Sequence, residues 1–271
     1  MDHTQPPIVL VFAGNDPSGG AGLCADIQTL ASQGCHTAPV VTSITTQDTC
    51  NVFESIPLSG AQVAAQAEVV LADMPIAACK IGLIGSTEIV EAIQSILLKY
   101  PHIPVILDPI LAAGGGQLLA GLSVREAMIK KLLPIIKIIT PNSQEVRALT
   151  GVTQSLDKAA AQLMNAGCQY VCITGTHENT PTVINTLYGH GQRIKSWIWP
   201  RLPQSYHGSG CTFASSLAGL LAQGKEVIVA VSEAQHYTWT SLQRGYRPGR
   251  GQALPNRLSG LTDCQTKINL E

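Results

Sequence analysis

Two glycines, a hydroxyl and an ionisable thiol fall within the seven residues Tyr206-His207-Gly208-Ser209-Gly210-Cys211-Thr212. The stretch runs into an apolar segment, residues 213–222, in which Leu217, Leu220 and Leu221 recur at helical spacing. It therefore reads as a turn that opens a helix. The first N–H groups of a helix lack internal partners, and the macrodipole leaves that end about half a unit positive. Gly208 and Gly210 would let the backbone approach an anion with no Cβ in the way. In that field Cys211 is expected to ionise below the free-thiol pKa of about 8.5. A held phosphoryl group beside an ionisable side chain is the equipment of phosphoryl transfer. The same letters also fit an ordinary turn followed by a small buried cysteine.

Further candidates stand at the ends of apolar runs. Asp108-Pro109 closes the run 103–107. A carboxylate there lies in the crevice where open α/β sheets bind ligands, although Asp-Pro is also a common turn starter. Asn142 and Glu145 follow the run 135–139 at the spacing of a helix-capping box. The same two residues would also serve as oxygen ligands for Mg²⁺, which favours carboxylates, water and substrate phosphates. Residues 14–22 form a glycine-rich loop between a strand and a helix, without G-x-G-x-x-G in register, so a dinucleotide fold is not indicated. Asp26 lies one residue off the apolar stripe of the helix that follows, as a solvated carboxylate would.

The elements that must position these residues alternate along the chain. Strands are predicted over 8–13, 40–46, 77–84, 103–107, 135–139 and 170–174, and helices over 61–71, 88–98, 124–133, 159–166, 213–222 and 227–242. Residues 182–188 and 193–199 bracket Gly189-His190-Gly191-Gln192 as a hairpin. Residues 113–117 carry three consecutive glycines and are expected to move over a site. Arg244, Arg247, Arg250 and Arg257 fall among Gly and Pro and read as a solvated tail on the surface. Alternation of this kind indicates one mostly parallel α/β sandwich spanning 1–271, with a core over 8–242 and a C-terminal tail over 243–271.

Composition narrows the function. A net charge of -1 over 271 residues offers no basic face for nucleic acid or an anionic membrane. The eight cysteines are scattered, and Cys168 and Cys172 lack a second Cys/His pair at zinc spacing. Reduced thiols, a polar start without a signal-peptide core and no apolar run near ~18 residues fit a soluble cytoplasmic protein.

Six separated motifs taken together resemble the hydroxymethylpyrimidine/phosphomethylpyrimidine kinases of thiamine biosynthesis, members of the ribokinase-like superfamily. They are 13–22 with Ala25-Asp26-Ile27, 41–49 ending in Gln-Asp-Thr, Cys79-Lys80-Ile81-Gly82, Leu107-Asp108-Pro109, Thr140-Pro141-Asn142 with Glu145, and His207–Thr212. The resemblance covers residues 8 to about 242. It implies a ribokinase-like three-layer α/β/α sandwich and a homodimeric kinase that uses ATP and Mg²⁺. The reaction implied is phosphorylation of 4-amino-5-hydroxymethyl-2-methylpyrimidine and then of its monophosphate.

It further implies that Gly208, Ser209 and Gly210 form the anion hole and that Cys211 is the catalytic position. Gly14, Asp26 and Gln47 would contact the pyrimidine. Asp108, Asn142 and Glu145 would form the Mg²⁺ and phosphate end, and Thr174 and Gly175 the start of the nucleotide region. The chain departs from the family pattern at Asn15, Leu83, Ser209 and Gln235. Members commonly carry Lys at the last of these, so a charge facing the nucleotide is lost, and the tail arginines are candidates to replace it. A pyridoxal or pyridoxine kinase of the same superfamily is the nearest alternative, against which Asp26 with Gln47 would favour an aminopyrimidine edge. A catalytically silent pyrimidine-binding regulator is a second.

Overall fold

The protein is described here from a computed structural model covering residues 5–112, 116–117 and 119–260. Its frame is a nine-stranded sheet in the order β3-β2-β1-β4-β5-β6-β7-β8-β9. The strands are β1 (Ile8–Asn15), β2 (His36–Gln47), β3 (Val52–Pro57), β4 (Ile76–Ile81), β5 (Val105–Leu107), β6 (Ile138–Ile139), β7 (Tyr170–Ile173), β8 (Thr182–Gly189) and β9 (Gln192–Pro200). The six from β2 to β7 in that order pair in parallel, while β3, β8 and β9 are antiparallel to their neighbours.

β1 reads IVLVFAGN and is buried along almost its whole length, the pattern of a central strand covered on both faces. One face packs on α2 (Gly60–Asp73), α3 (Thr87–Leu97), α4 (Leu122–Ala127), α5 (Ser143–Thr150) and α6 (Leu156–Asn165). The other packs on α1 (Gly22–Ser32), α7 (Ser209–Ala222) and α8 (Val227–Gln243). Two apolar cores, one on each side of the sheet, make the three-layer α/β sandwich that the sequence predicts.

Local chemistry sets several of these boundaries. Ser59 and Gln62 form a capping box on α2, and Ser86 and Ser155 cap α3 and α6 through their hydroxyls. The β8–β9 hairpin turns at His190 and Gly191, with φ of 53° and 76°, the left-handed pair that matches strand twist.

Three predicted segments differ. The helix of 124–133 is α4 followed by a π-helical turn, Met128–Leu132, and residues 133–135 form a 3₁₀ turn, which leaves β6 two residues long. β3 carries no alternating apolar pattern and goes unpredicted, since Phe53 and Ile56 lie three residues apart, on opposite faces, and both are exposed. The described part of the tail is solvated only in part: Arg244, Arg247 and Arg250 are exposed, whereas residue 253 bridges Tyr206, Tyr246 bridges Leu254, and Arg257 is buried. Of the glycine segment predicted to move, 113–115 lie outside the described residues.

Asp26 is also displaced from expectation. Its side chain is fully buried, with Lys80 Nζ 2.9 Å from both carboxylate oxygens and Ser215 Oγ donating to Oδ1 at 2.5 Å. These partners come from α1, β4 and α7, so a single ionic node joins two helices to the sheet. Removing one member of such a pair leaves an uncompensated buried charge, at a cost of about 3–5 kcal/mol. Lys80→Met is therefore expected to lower the free energy of unfolding by about that amount in urea titration. The double variant Lys80→Met with Asp26→Leu is expected to recover most of the loss.

Candidate active site

Above that node, along the C-terminal ends of the parallel strands, lies a cavity of about 670 Å³. The sheet order distributes its walls. Gly14 and Asn15 from β1, Gln47 from β2 and Leu83 after β4 line one end. Asp108 after β5 and Glu145 on α5 follow, and Thr174 after β7 with Trp199 from β9 completes the other end. Ser209, Gly210 and Cys211 enter the same cavity from the first turn of α7.

That turn depends on Gly208, whose φ of 82° lies in the left-handed region. A Cβ there would strike the Gly20 carbonyl, so the glycine-rich loop and the α7 N-terminus meet at backbone distance. Thr212 locks the turn by donating from Oγ1 to the Gly208 carbonyl at 2.7 Å. The glycine-rich loop is held from within by Asp16, whose Oδ1 accepts from Ser18 N and whose Oδ2 accepts from Ala21 N, both at 2.8 Å. His207 Nε2 stands 2.8 Å from Asp16 Oδ2 and 3.2 Å from Gln47 Nε2. Gln47 Oε1 accepts from Thr45 Oγ1 at 2.8 Å. Asp16 and His207 thus tie the loop, the anion-binding turn and the end of β2 together, a role that single motifs could not reveal.

The ionisable groups at the floor are shifted by desolvation. Burial pushes the Cys211 thiol up to about 12; the Lys80 charge pulls it down, and Asp108 and Asp26 push it further up. The expectation of a thiolate at the helix end is thereby overturned, because the helix field is local while the packing around Sγ removes water. Asp108 is raised to about 6, first by burial, with Lys80 opposing the shift and Asp26 adding to it. Its Oδ2 is buried without a hydrogen-bond partner. Glu145 is raised to about 8 by burial and by the facing Asp108 carboxylate.

Not every predicted residue serves as assigned. Asp26 does not reach the cavity, since both oxygens are spent on Lys80 and Ser215. Asn142 lines the cavity, but its Oδ1 accepts from Gln144 N and Glu145 N at 2.9 Å, so the capping box claims the oxygen assigned to a metal. Glu145 closes the box, with Oε2 accepting from Asn142 N at 2.8 Å. Gly175 is packed against β8 and donates its N–H to Asn185 Oδ1 at 3.1 Å. Asn185 Nδ2 and Trp199 Nε1 in turn donate to Gln235 Oε1 at 2.9 and 2.8 Å, leaving buried Gln235 Nε2 without a partner at the cavity wall. Trp199 stacks on Trp239 with ring centroids 5.9 Å apart, an aromatic wall that sequence spacing did not expose.

Among the described residues no three His, Cys, Asp or Glu side chains are grouped to hold a metal alone. The unpartnered Asp108 oxygen and the buried Glu145 carboxyl facing it nevertheless fit a hard cation completed by water and substrate phosphate.

The family model described as phosphomethylpyrimidine kinase matches residues 16–256. The hydroxymethylpyrimidine/phosphomethylpyrimidine kinase of Haemophilus influenzae is 33% identical over 264 residues, 92% of this chain and 95% of its own. A crystal structure of phosphomethylpyrimidine kinase from Clostridium difficile superposes with a TM-score of 0.76 at 30% identity, covering 87% of this chain and 99% of that one. The pyridoxal kinase from Staphylococcus aureus in complex with ADP superposes at 0.85 with 29% identity, covering 93% of each chain.

Glu145 generates a measurable pH effect. Between its ordinary value near 4.5 and about 8 the folded chain keeps a proton that the unfolded chain has released, so stability falls as pH rises through that window. Without divalent cations, the melting temperature is expected to drop from pH 6 to pH 8 by several degrees, and Glu145→Gln is expected to flatten that decline. Thermal scans at both pH values read the difference.

Proposed function

Since the chain belongs to the phosphomethylpyrimidine kinase family, we propose that it transfers phosphate from ATP to the hydroxymethyl group of 4-amino-5-hydroxymethyl-2-methylpyrimidine. The resulting monophosphate is then its second substrate, giving the diphosphate used for thiamine. The observation that carries this reading is one cavity that joins an anion-binding helix turn to an unpartnered buried carboxylate, with room for two ligands end to end.

The roles follow from position along the cavity. Gly14 and Gln47 stand at the glycine-loop end, where a flat polar heterocycle would meet the Gln47 amide and the Leu83 side chain. Thr174, Asn185 and the Trp199–Trp239 stack stand at the other end and offer the nucleotide an aromatic wall; that a nucleotide is the second ligand is supported by the S. aureus neighbour's ADP complex. The phosphates of the two ligands would then meet over Gly208, Ser209 and Gly210, whose backbone N–H groups sit at the positive end of α7. Asp108 and Glu145 would hold Mg²⁺, which supplies charge neutralisation on the transferring phosphate.

Cys211 begins the reaction as a thiol. It lies beside Asp108, to which its S–H is directed, so at neutral pH the hydroxyl proton passes either directly to the Asp108 carboxylate or to Cys211 Sγ as Cys211 hands its own proton to Asp108. Proton removal then accompanies a loose transition state rather than preceding it. Gln235 is neutral and locked by Asn185 and Trp199, so it offers the nucleotide an N–H donor in place of a charge. A homodimer in the cytoplasm is part of the same proposal. The described cysteines are free thiols, and the paired Ile44 and Ile56 on β2 and β3 are exposed apolar side chains that suit a second copy.

A second reading is pyridoxal phosphorylation, favoured by the S. aureus pyridoxal kinase likeness. Incubation with ATP and Mg²⁺ separates the two when the pyrimidine alcohol, its monophosphate and pyridoxal are run in parallel. Turnover of both pyrimidines is expected, and Cys211→Ala is expected to lose about 10²–10⁴-fold. Turnover of pyridoxal alone would overturn the assignment.

A further inference from the structure

Arg257 lies beyond α8, in the segment that the sequence assigns to a solvated tail, yet it is 3% exposed. Its backbone is anchored to α8, with Tyr237 Oη donating to its carbonyl at 2.8 Å and Asn256 N donating to Ser241 O at 2.9 Å. The guanidinium turns inward and donates to three uncharged acceptors. Nε bonds Thr212 Oγ1 at 2.9 Å, one terminal nitrogen bonds Gln28 Oε1 at 3.2 Å, and the other bonds the Gly20 carbonyl. Among the described residues no carboxylate forms an ion pair with it.

A buried cation with only neutral acceptors is costly to desolvate, and its three hydrogen bonds offset that cost only in part. What it touches is the two halves of the anion-binding turn. Thr212 Oγ1, which accepts from Arg257, donates onward to the Gly208 carbonyl, and this fixes the peptide plane that opens α7. Gly20, held by the other nitrogen, is the residue whose carbonyl abuts Gly208. A Cβ on Gly208 would come within 2.6 Å of the guanidinium itself, so the positive charge sits directly behind the turn. Arg257 does not line the cavity, and therefore acts through its partners.

We propose that Arg257 is a positioning residue for phosphoryl transfer, orienting the Gly208–Gly210 turn through Thr212 and Gly20 and biasing it toward an anionic phosphoryl group. The proposal rests on the kinase reading. It also answers the tail-arginine expectation: the compensating charge stands behind the anion hole rather than at Gln235.

The test compares Arg257→Gln, Arg257→Lys and Thr212→Val in steady-state kinetics with ATP and the pyrimidine alcohol. Binding of the alcohol alone is measured by calorimetry, and stabilisation by inorganic phosphate by thermal shift. Arg257→Gln is expected to lower kcat about 10–100-fold, as a small misplacement of a reacting group does, with pyrimidine affinity unchanged within about twofold. It should also abolish the phosphate-induced shift. Arg257→Lys, which keeps the charge, should regain part of both. Thr212→Val removes the relay from Arg257 Nε to the Gly208 carbonyl while leaving the Arg257 contacts to Gly20 and Gln28, and should lower kcat in the same direction, so the idea remains testable if Arg257→Gln folds poorly. Full kcat and an intact phosphate shift in a folded Arg257→Gln, beside an active parent, would overturn the proposal. A parent that transfers no phosphate from ATP would instead overturn the kinase reading on which it rests.

Discussion

Lys80 and Asp26 meet at 2.9 Å with neither side chain exposed, and the site is built on that contact. Burial opposes the Lys80 charge, but Asp26, Cys211 and Asp108 together raise its pKa above the ordinary value, so it stays protonated. The pair joins β4 to α1 and, through Ser215, to α7. The helix whose first turn is to receive an anion is thus tied to the strand layer that carries the carboxylates. A hydrophobic pair of equal volume would give comparable stability. It would not leave a fixed cation beneath Cys211 and Asp108.

From that node the electrostatics of the floor follow. Desolvation raises Asp108 and Cys211, and the pull of Lys80 opposes both shifts. The result is a thiol that keeps its proton, an Asp108 carboxylate with one unsatisfied oxygen, and a Glu145 carboxyl that holds its proton up to about pH 8. Such a floor is unfavourable while empty and becomes balanced when phosphate and cation arrive together, which is how a site can prefer the reacting state to the resting one.

Much of this was legible in the sequence. Buried strands declared themselves as unbroken apolar runs, and a cavity-lining residue at a strand end, Asp108, followed from the run boundary, whereas Thr174 came from the family resemblance. The Asn142–Glu145 spacing allowed a cap or a metal-ligand pair, and the cap forms. What failed depended on tertiary partners. Asp26 looked solvated because its helix was judged by a single stripe, whereas α1 is covered by the sheet and by α7 as well. Lys80, 54 residues away, carries no local sign of being its partner. Cys211 was misjudged because helix-end fields can be read from a motif and desolvation cannot. Arg257 was hidden among glycines and prolines whose return path to α7 has no periodic signature.

The account turns on the protonation of Cys211, and the most direct measurement is the ultraviolet thiolate absorbance of the protein as a function of pH, taken as the difference from Cys211→Ser. A floor dominated by desolvation predicts no thiolate from this residue at pH 7–9, with absorbance still rising at the alkaline limit of the folded protein. A complete titration below pH 8 would contradict it, and would mean that the helix field and the Lys80 charge outweigh burial.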